Sequence, residues 1–277
     1  MQLSLDVGTI GFDVPLEDLL KNMENELFQA LEYSIENIRT IINKNSKNYL
    51  QTLIASSNIQ IPQFTCGTGI PANIAISENA FVDSLYRWTE NCKLAQIVGI
   101  NQGSVLVNST KGDGYSQTGK ALSFAELYER IVTLAKIAAK YNIRIALEIV
   151  DPPLLKRSVT LWQEASCDNL GLLLDTYTIH SQKNPTKFIQ SIPIESIFWV
   201  HLANFSRTPS GFLRVFPQEG LLDCFAILSH LSANGYNSVV SLEVYGPRVN
   251  SLAFADRFQL AINSIKQAKL ERFFDDT

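Results

Sequence analysis

Short apolar runs rich in β-forming residues alternate with helical stretches along this 277-residue chain, and this alternation constrains the fold more than any other feature. We predict strands at residues 3–7, 35–41, 59–65, 104–108, 144–148, 171–175, 197–201 and 239–243. Strands that alternate with helices favour a parallel sheet covered by those helices. Eight such units in about 250 residues are typical of a (β/α)8 barrel. We therefore predict an α/β fold with one TIM-barrel domain over residues 1–277; an open doubly wound sheet is the alternative.

Two of the predicted helices carry clear sequence signals. Pro15 stands near the start of the first helix, and Ser123 and Glu126 match a capping box at the start of a later one. The first helix has a predicted apolar stripe formed by Leu16, Leu19, Leu20, Met23, Leu27 and Leu31. The later helix has an apolar face formed by Phe124, Leu127, Ile131, Leu134 and Ala138. Each stripe would pack against the sheet.

The last four predicted strands each end in a residue that can bind a metal ion. These residues are Glu148, Asp175, His201 and Glu243. Parallel strands present their carboxyl ends on one face of a barrel, so we expect the four side chains to converge there. The first three are spaced by about one strand–helix unit. The wider gap before the fourth contains a long loop, residues 204–220, and long loops at this rim are more often functional than idle.

Three carboxylates and an imidazole that converge without a cation would be costly to bury. One divalent metal ion would remove that cost. Oxygen-rich ligation with a single imidazole suits Mn²⁺, Mg²⁺ or Co²⁺ better than Zn²⁺. One acidic residue at a strand end is usually a helix cap or a surface residue, but four at successive strand ends indicate a metal site.

The strand-end segments ALEI, LLLDT, VHL and SLEV resemble those of the xylose isomerase-like TIM-barrel superfamily, which includes sugar phosphate isomerases and epimerases. The segment from Arg214 to Asp223, RVFPQEGLLD, resembles the loop before the seventh helix in many members. The specific resemblance covers about residues 140–245. It implies that the four strand-end residues are metal ligands and that Glu148 and Glu243 also move protons at a substrate carbon. It further implies that Arg214 contacts the substrate.

The resemblance implies a metal-dependent isomerase or epimerase that acts on a small sugar or sugar phosphate through an enediolate. One alternative is the dehydration of a cyclic polyol or keto acid, similar to inosose dehydratase and 3-dehydroshikimate dehydratase. Another is a non-catalytic barrel that serves as a binding or scaffold protein.

Two departures from the family pattern bear on substrate binding. Many members have a histidine three residues after the aspartate that ends the sixth strand, whereas this chain has Thr178. His180 follows two positions later and is our candidate replacement. Leu154 stands where epimerases tend to carry an acidic substrate contact. Arg248 is a further candidate, because the region after the last barrel strands often binds phosphate.

Charge and composition exclude several classes of protein. A net charge of −4 gives no basic surface for nucleic acid, and three histidines are too few for the trinuclear zinc site of relatives that resemble endonuclease IV. No apolar run approaches the ~20 residues of a membrane helix, and the first residues do not resemble a signal peptide. The four cysteines are scattered, which suits a reducing compartment. We therefore expect a cytoplasmic protein, compatible with a homo-oligomer, that binds a small-molecule substrate and neither nucleic acid nor a membrane.

Overall fold

Eight parallel strands form the closed barrel of this computed structural model, which describes residues 1–24, 27–66, 74–108, 122–209 and 211–274. The strands are β1 (Gln2–Asp6), β2 (Ala30–Ser34), β3 (Gln60–Thr65), β4 (Gln102–Val107), β5 (Arg144–Ile149), β6 (Leu170–Asp175), β7 (Ile197–Leu202), β8 (Asn204–Thr208), β9 (Gly211–Val215) and β10 (Val239–Leu242). Around the barrel the order is β1-β10-β7-β6-β5-β4-β3-β2, and β8 and β9 form a separate antiparallel hairpin. The predicted TIM-barrel fold is confirmed.

Helices separate most of the barrel strands. The α-helices are α1 (Val7–Ile10), α2 (Leu16–Met23), α3 (Ile35–Lys44), α4 (Lys47–Ala55), α5 (Glu78–Val98), α6 (Phe124–Ala139), α7 (Pro152–Leu155), α8 (Ser158–Ala165), α9 (Pro185–Gln190), α10 (Cys224–Ala233), α11 (Pro247–Asn250) and α12 (Phe254–Gln267). Short 3₁₀ helices span Thr178–Ser181, Ile194–Ser196, Pro217–Glu219 and Glu271–Phe273. Among the described helices, none combines the length and the apolar character that a membrane crossing requires.

The capping box at the start of α6 is confirmed. The backbone N–H of Ser123 donates to Glu126 Oε2 at 2.8 Å, and the backbone N–H of Glu126 donates to Ser123 Oγ at 3.2 Å. Two N–H groups that a helix start leaves without intrahelical acceptors are satisfied in this way. The apolar face of the helix then buries Leu127, Ile131 and Leu134.

The second strand was predicted in the wrong place, because the predicted residues belong to the helix that follows it. Residues 35–41 form the first part of α3, and β2 lies immediately before it. The run is rich in β-branched isoleucine, which favours a strand, but Ile35 and Ile38 recur at helical spacing and bury one helix face. The helix predicted after Pro15 ends at Met23, so Leu31 belongs to β2 and not to that helix.

Contacts between Cα atoms divide the chain into two compact units. The first contains residues 1–32, 51–61 and 174–277, and the second contains residues 33–50 and 62–173. In the second unit, a Cβ atom added to Gly103 would collide with the ring of Phe64 on the paired strand, so glycine is required there. Trp88 of α5 is fully buried and donates from Nε1 to the carbonyl of Leu134 at 3.2 Å.

Candidate metal centre

Acidic and imidazole side chains of the first unit lie at the carboxyl ends of four barrel strands. Asp6 is the last residue of β1, Asp175 is the last of β6, and Glu243 directly follows β10. His201 is the penultimate residue of β7. Each of these residues is buried, with 8% or less of its surface exposed. The predicted Asp175, His201 and Glu243 therefore come to the same end of the parallel strands, together with Asp6, which was not predicted.

Arg214 joins two of these carboxylates. Its Nη2 atom lies 2.6 Å from Asp175 Oδ2, and its Nη1 atom lies 2.5 Å from Glu243 Oε2. Nη1 also donates to the backbone carbonyl of Glu243 at 2.9 Å. The guanidinium carbon lies 4.5 Å from the ring centre of Tyr177 and 4.6 Å from that of Tyr245. Two carboxylates and two aromatic rings thus fix this side chain, which is buried and carried by β9.

His201 lies between two carboxylates. Its Nε2 atom is 2.9 Å from Glu32 Oε2, and its Nδ1 atom is 3.2 Å from Glu243 Oε2. The indole Nε1 of Trp199 donates to the same Glu32 oxygen at 2.9 Å. Trp199 and His201 are two residues apart on β7, so both side chains leave the strand on the same side. A continuous polar network therefore runs from Trp199 to Arg214 through the centre of the cluster.

Sequence reasoning missed Asp6 and Glu32. The two residues are register partners on β1 and β2, and one ligand atom of each lies within 4.8 Å of a ring nitrogen of His201. Asp6 carries the same signal as the predicted ligands, an acidic residue that ends an apolar strand, and this signal could have found it. Glu32 was hidden because the second strand was predicted at residues 35–41, which placed this side chain in a helix.

Burial dominates the electrostatics of the two aspartates. It raises the pKa of Asp6 well above its usual value, and the charges of Glu32 and Glu243 act in the same direction. Burial also raises the pKa of Asp175, although the guanidinium of Arg214 opposes this effect. Both shifts have the sign expected for carboxyl groups that lose their hydration.

Neighbouring charges dominate at Glu243 and His201. Burial alone would raise the pKa of Glu243, but His201 and Arg214 outweigh it and lower that pKa to about 2. Burial alone would lower the pKa of His201, but the carboxylates of Glu243 and Glu32 outweigh it and raise that pKa well above the usual value. Glu243 is therefore held as a carboxylate near neutral pH.

The donor set fits a divalent cation. Among the described residues of the first unit, the buried carboxyl groups are those of Asp6, Glu32, Asp175 and Glu243, and the buried basic side chains are those of His201 and Arg214. Acidic groups outnumber basic ones, so a bound dication would offset part of the negative charge that they carry when ionised. Several carboxylate oxygens with one imidazole nitrogen also form a set that Mn²⁺, Co²⁺ or Zn²⁺ accepts.

Glu148 and Arg248 are two further predicted site residues, and each belongs to a different unit. Glu148 belongs to β5 in the second unit, is half-buried, and has Leu106 and Leu173 as register partners. Arg248 is exposed, and its guanidinium pairs with Glu219 at 2.6 and 3.0 Å.

His180 lies in the 3₁₀ helix that follows β6 and forms part of an aromatic cluster. Its ring centre is 4.3 Å from that of Phe212 and 4.9 Å from that of Tyr177, and Nδ1 lies 2.7 Å from the carbonyl of Tyr177. Thr178, which stands where many relatives have histidine, is buried and donates from its hydroxyl to the carbonyl of Asp175 at 2.9 Å.

The parallel barrel and its strand-end cluster define a class of TIM-barrel proteins with an acidic site at the carboxyl face. Within that class, the chain belongs to the xylose isomerase-like TIM-barrel family, whose model matches residues 21–268. The family expected from the strand-end segments is thereby confirmed.

Two curated relatives indicate the range of activities near this sequence. The chain is 30% identical over 140 residues to inosose isomerase from Bacillus subtilis (strain 168), a match that covers 47% of the chain and 50% of the relative. It is 31% identical over 134 residues to 3-dehydroshikimate dehydratase from Pseudomonas aeruginosa, which covers 44% of the chain and 21% of the relative. The chain thus spans about half the length of the inosose isomerase that it matches.

Among solved structures, the fold is similar to that of the IOLI protein, which was crystallised with a binding zinc atom. The TM-score is 0.81, the sequence identity is 19%, and all of both chains is covered. At this identity the similarity concerns the fold.

Proposed function

We propose that this chain is a metal-dependent enzyme that isomerises or epimerises a small sugar, a sugar phosphate or a related keto-polyol through an enediolate. The observation that carries the proposal is the buried cluster of Asp175, His201 and Glu243, which Arg214 closes on one side. The match to inosose isomerase supports a substrate with a carbonyl next to a hydroxyl-bearing carbon.

The proposed metal ligands are Glu148, Asp175, His201 and Glu243. The excess of buried carboxylates in the first unit supports a dication, and Glu148 is included because β5 carries it towards its carboxyl end. Mn²⁺, Mg²⁺ and Co²⁺ suit the oxygen-rich donors, and the zinc atom of the IOLI protein adds Zn²⁺ as a candidate. When bound, the ion would stabilise negative charge on the carbonyl and hydroxyl oxygens of the substrate.

Glu243 is the proposed proton acceptor at the substrate carbon, and Glu148 is the proposed partner that returns a proton. Arg214 and His201 keep Glu243 ionised, and they also make it a weak base. A substrate oxygen that draws the guanidinium of Arg214 away from Oε2 would make Glu243 more basic. Substrate binding and proton removal would then be coupled through Arg214, in agreement with its predicted contact to substrate.

Dehydration of a cyclic polyol or keto acid is the second candidate. The match to 3-dehydroshikimate dehydratase favours it, and the same carboxylate would remove a proton next to a carbonyl before a hydroxyl group leaves. A non-catalytic barrel is less well supported, because the strand ends of the first unit carry charged side chains instead of apolar ones. Arg248, His180, the cytoplasmic location and a homo-oligomer stay predictions.

The decisive experiment follows proton exchange. Protein loaded with Mn²⁺ is incubated in D₂O with a panel of ketoses, ketose phosphates and keto-inositols, and deuterium uptake at carbon is measured by NMR. We expect exchange with at least one substrate, and we expect Glu243→Gln to lower its rate by about 10²- to 10⁴-fold, the usual contribution of a general base. Metal affinity should fall far less, because the amide retains an oxygen.

Two other outcomes have clear meanings. Loss of water with a new conjugated absorbance would identify a dehydratase. If the panel gives neither exchange nor dehydration while Mn²⁺ binds, the enzymatic proposal fails.

A further inference from the structure

Glu32 is a buried carboxylate that neither the sequence prediction nor the proposed reaction uses. It lies in the middle of β2, and none of its surface is exposed. Burying a carboxylate is costly unless hydrogen bonds compensate. Its Oε2 atom meets two ring nitrogens of β7, Trp199 Nε1 and His201 Nε2, each at 2.9 Å.

The chemistry of these partners determines where the hydrogen atoms lie. An indole nitrogen can only donate, and a carboxylate can only accept. His201 must therefore carry a hydrogen on Nε2 to bond to Glu32. Nδ1, on the other side of the ring, faces Glu243 Oε2 at 3.2 Å. A metal ion binds the imidazole nitrogen that carries no hydrogen, and a carboxylate on the opposite nitrogen commonly fixes that choice.

We propose that Glu32 is the positioning residue of the metal centre: it holds the hydrogen of His201 on Nε2 and turns Nδ1 towards the metal. This inference rests on the proposed metal site and adds a residue that does not touch the ion. Trp199 supports it, because its N–H occupies the same oxygen and limits the rotation of the Glu32 carboxylate.

Two substitutions separate hydrogen-bond geometry from charge. Glu32→Gln removes the charge but keeps an oxygen at the same reach. Glu32→Asp keeps the charge but is one methylene shorter, so the oxygen is drawn back from Nε2. Circular dichroism would confirm that both variants fold. Zn²⁺ alone is the probe, since it is diamagnetic and allows ring nitrogens to be observed by ¹⁵N NMR.

In the parent protein with Zn²⁺, we expect the ¹⁵N signals of His201 to show hydrogen on Nε2 and metal on Nδ1. His180 and His230 provide unligated reference signals in the same spectrum. Glu32→Gln should keep this pattern and most of the affinity for Zn²⁺. Glu32→Asp should lose about 10- to 100-fold in affinity, the usual effect of removing a partner of a metal-bound histidine.

The opposite order of the two variants would overturn the inference, because the charge of Glu32 would then matter and its reach would not. Unchanged affinity and unchanged signals in both variants would overturn it as well. A parent protein that fails to bind Zn²⁺ would remove the metal site and the proposed function together. If the parent protein binds Zn²⁺ and both variants show the same affinity and the same ¹⁵N signals, only the proposed role of Glu32 is contradicted.

Discussion

Glu243 Oε2 contacts two basic groups, through Arg214 Nη1 and His201 Nδ1. An oxygen shared in this way is a good anchor for cations and a poor acceptor for a further proton. The same atom cannot serve fully as metal ligand, salt-bridge partner and base at one time. Arg214 is the group with an alternative partner, since a substrate oxygen could replace Glu243. The behaviour of the site therefore depends on how strongly Arg214 is held.

We predict that Arg214→Met destabilises the metal-free protein by about 3–5 kcal/mol, as expected when one partner of a buried ion pair is removed. Asp175 would be left buried without its main counter-charge, and Glu243 would lose one of its two basic partners. Urea unfolding with and without Mn²⁺ measures the effect, and Mn²⁺ should recover part of the loss. Arg248→Met is the matched control: its pair with Glu219 is exposed and should cost no more than about 1 kcal/mol. If the two variants lose the same free energy of unfolding, the buried ion pairs of Arg214 stabilise the protein no more than the exposed pair of Arg248 does.

The hairpin of β8 and β9 positions Arg214. Asn204, the first residue of β8, fixes the end of the hairpin where its two strands begin and finish. This side chain is fully buried and makes four hydrogen bonds of 2.7–2.9 Å with backbone groups of Phe205, Pro217 and Leu222. A Cβ atom on Gly220 would collide with its amide, so glycine is needed beside it. Register then pairs Phe205 with Arg214 across the hairpin.

We predict that Asn204→Ala costs about 3 kcal/mol, because it leaves several buried backbone groups without their partners. The affinity for Mn²⁺ should also fall, because the hairpin that carries Arg214 loses the hydrogen bonds of Asn204. Chemical unfolding and a metal titration are the two measurements. Asn22→Ala, which removes an exposed bond to Asp18 on α2, is the control and should stay within about 0.5 kcal/mol. If both asparagines behave alike, Asn204 does not organise the hairpin.

At the scale of elements, sequence was most informative where strands end in a polar residue. The ends of β6 and β7 were predicted within one residue, and Glu243 falls one residue after β10. In contrast, the hairpin was predicted only as a long loop, because its exposed residues have little alternation between apolar and polar types. The strand β2 was missed because its five residues are too short to compete with the isoleucine-rich run that follows.

For the whole molecule, the barrel follows from the regular alternation of strands and helices, which is visible in the sequence. The contacts inside the cluster could not be derived in this way. They depend on which side chains of distant segments meet, as Glu32 meets His201 across 169 positions of the chain. The spacing of residues along the chain does not predict such a contact. Placement at a strand end predicts only that a side chain lies on the face of the barrel where the carboxyl ends of the strands meet.

The cysteines offer a test of metal binding that needs no substrate. Cys66, Cys92 and Cys224 are buried, whereas Cys167 is partly exposed. Burial raises the pKa of Cys66 and of Cys224 to about 12 and also raises that of Cys92. The thiolate is the reactive form, so these three thiols should react with a labelling reagent only when the protein opens.

We predict that Mn²⁺ at 100 times its dissociation constant slows the labelling of these three cysteines by about 100-fold. A ligand that binds only the folded state stabilises it by about 2.7 kcal/mol at that concentration, which reduces the open population by the same factor. Mn²⁺ is chosen because it prefers oxygen ligands and leaves thiols largely free to react. Mass spectrometry resolves the rate at each cysteine, and Cys167 should react at the same rate with and without the metal. Identical rates at Cys224 with and without Mn²⁺ would contradict a metal site in the first unit, because the proposed ligands His201 and Glu243 lie in the same unit as this residue.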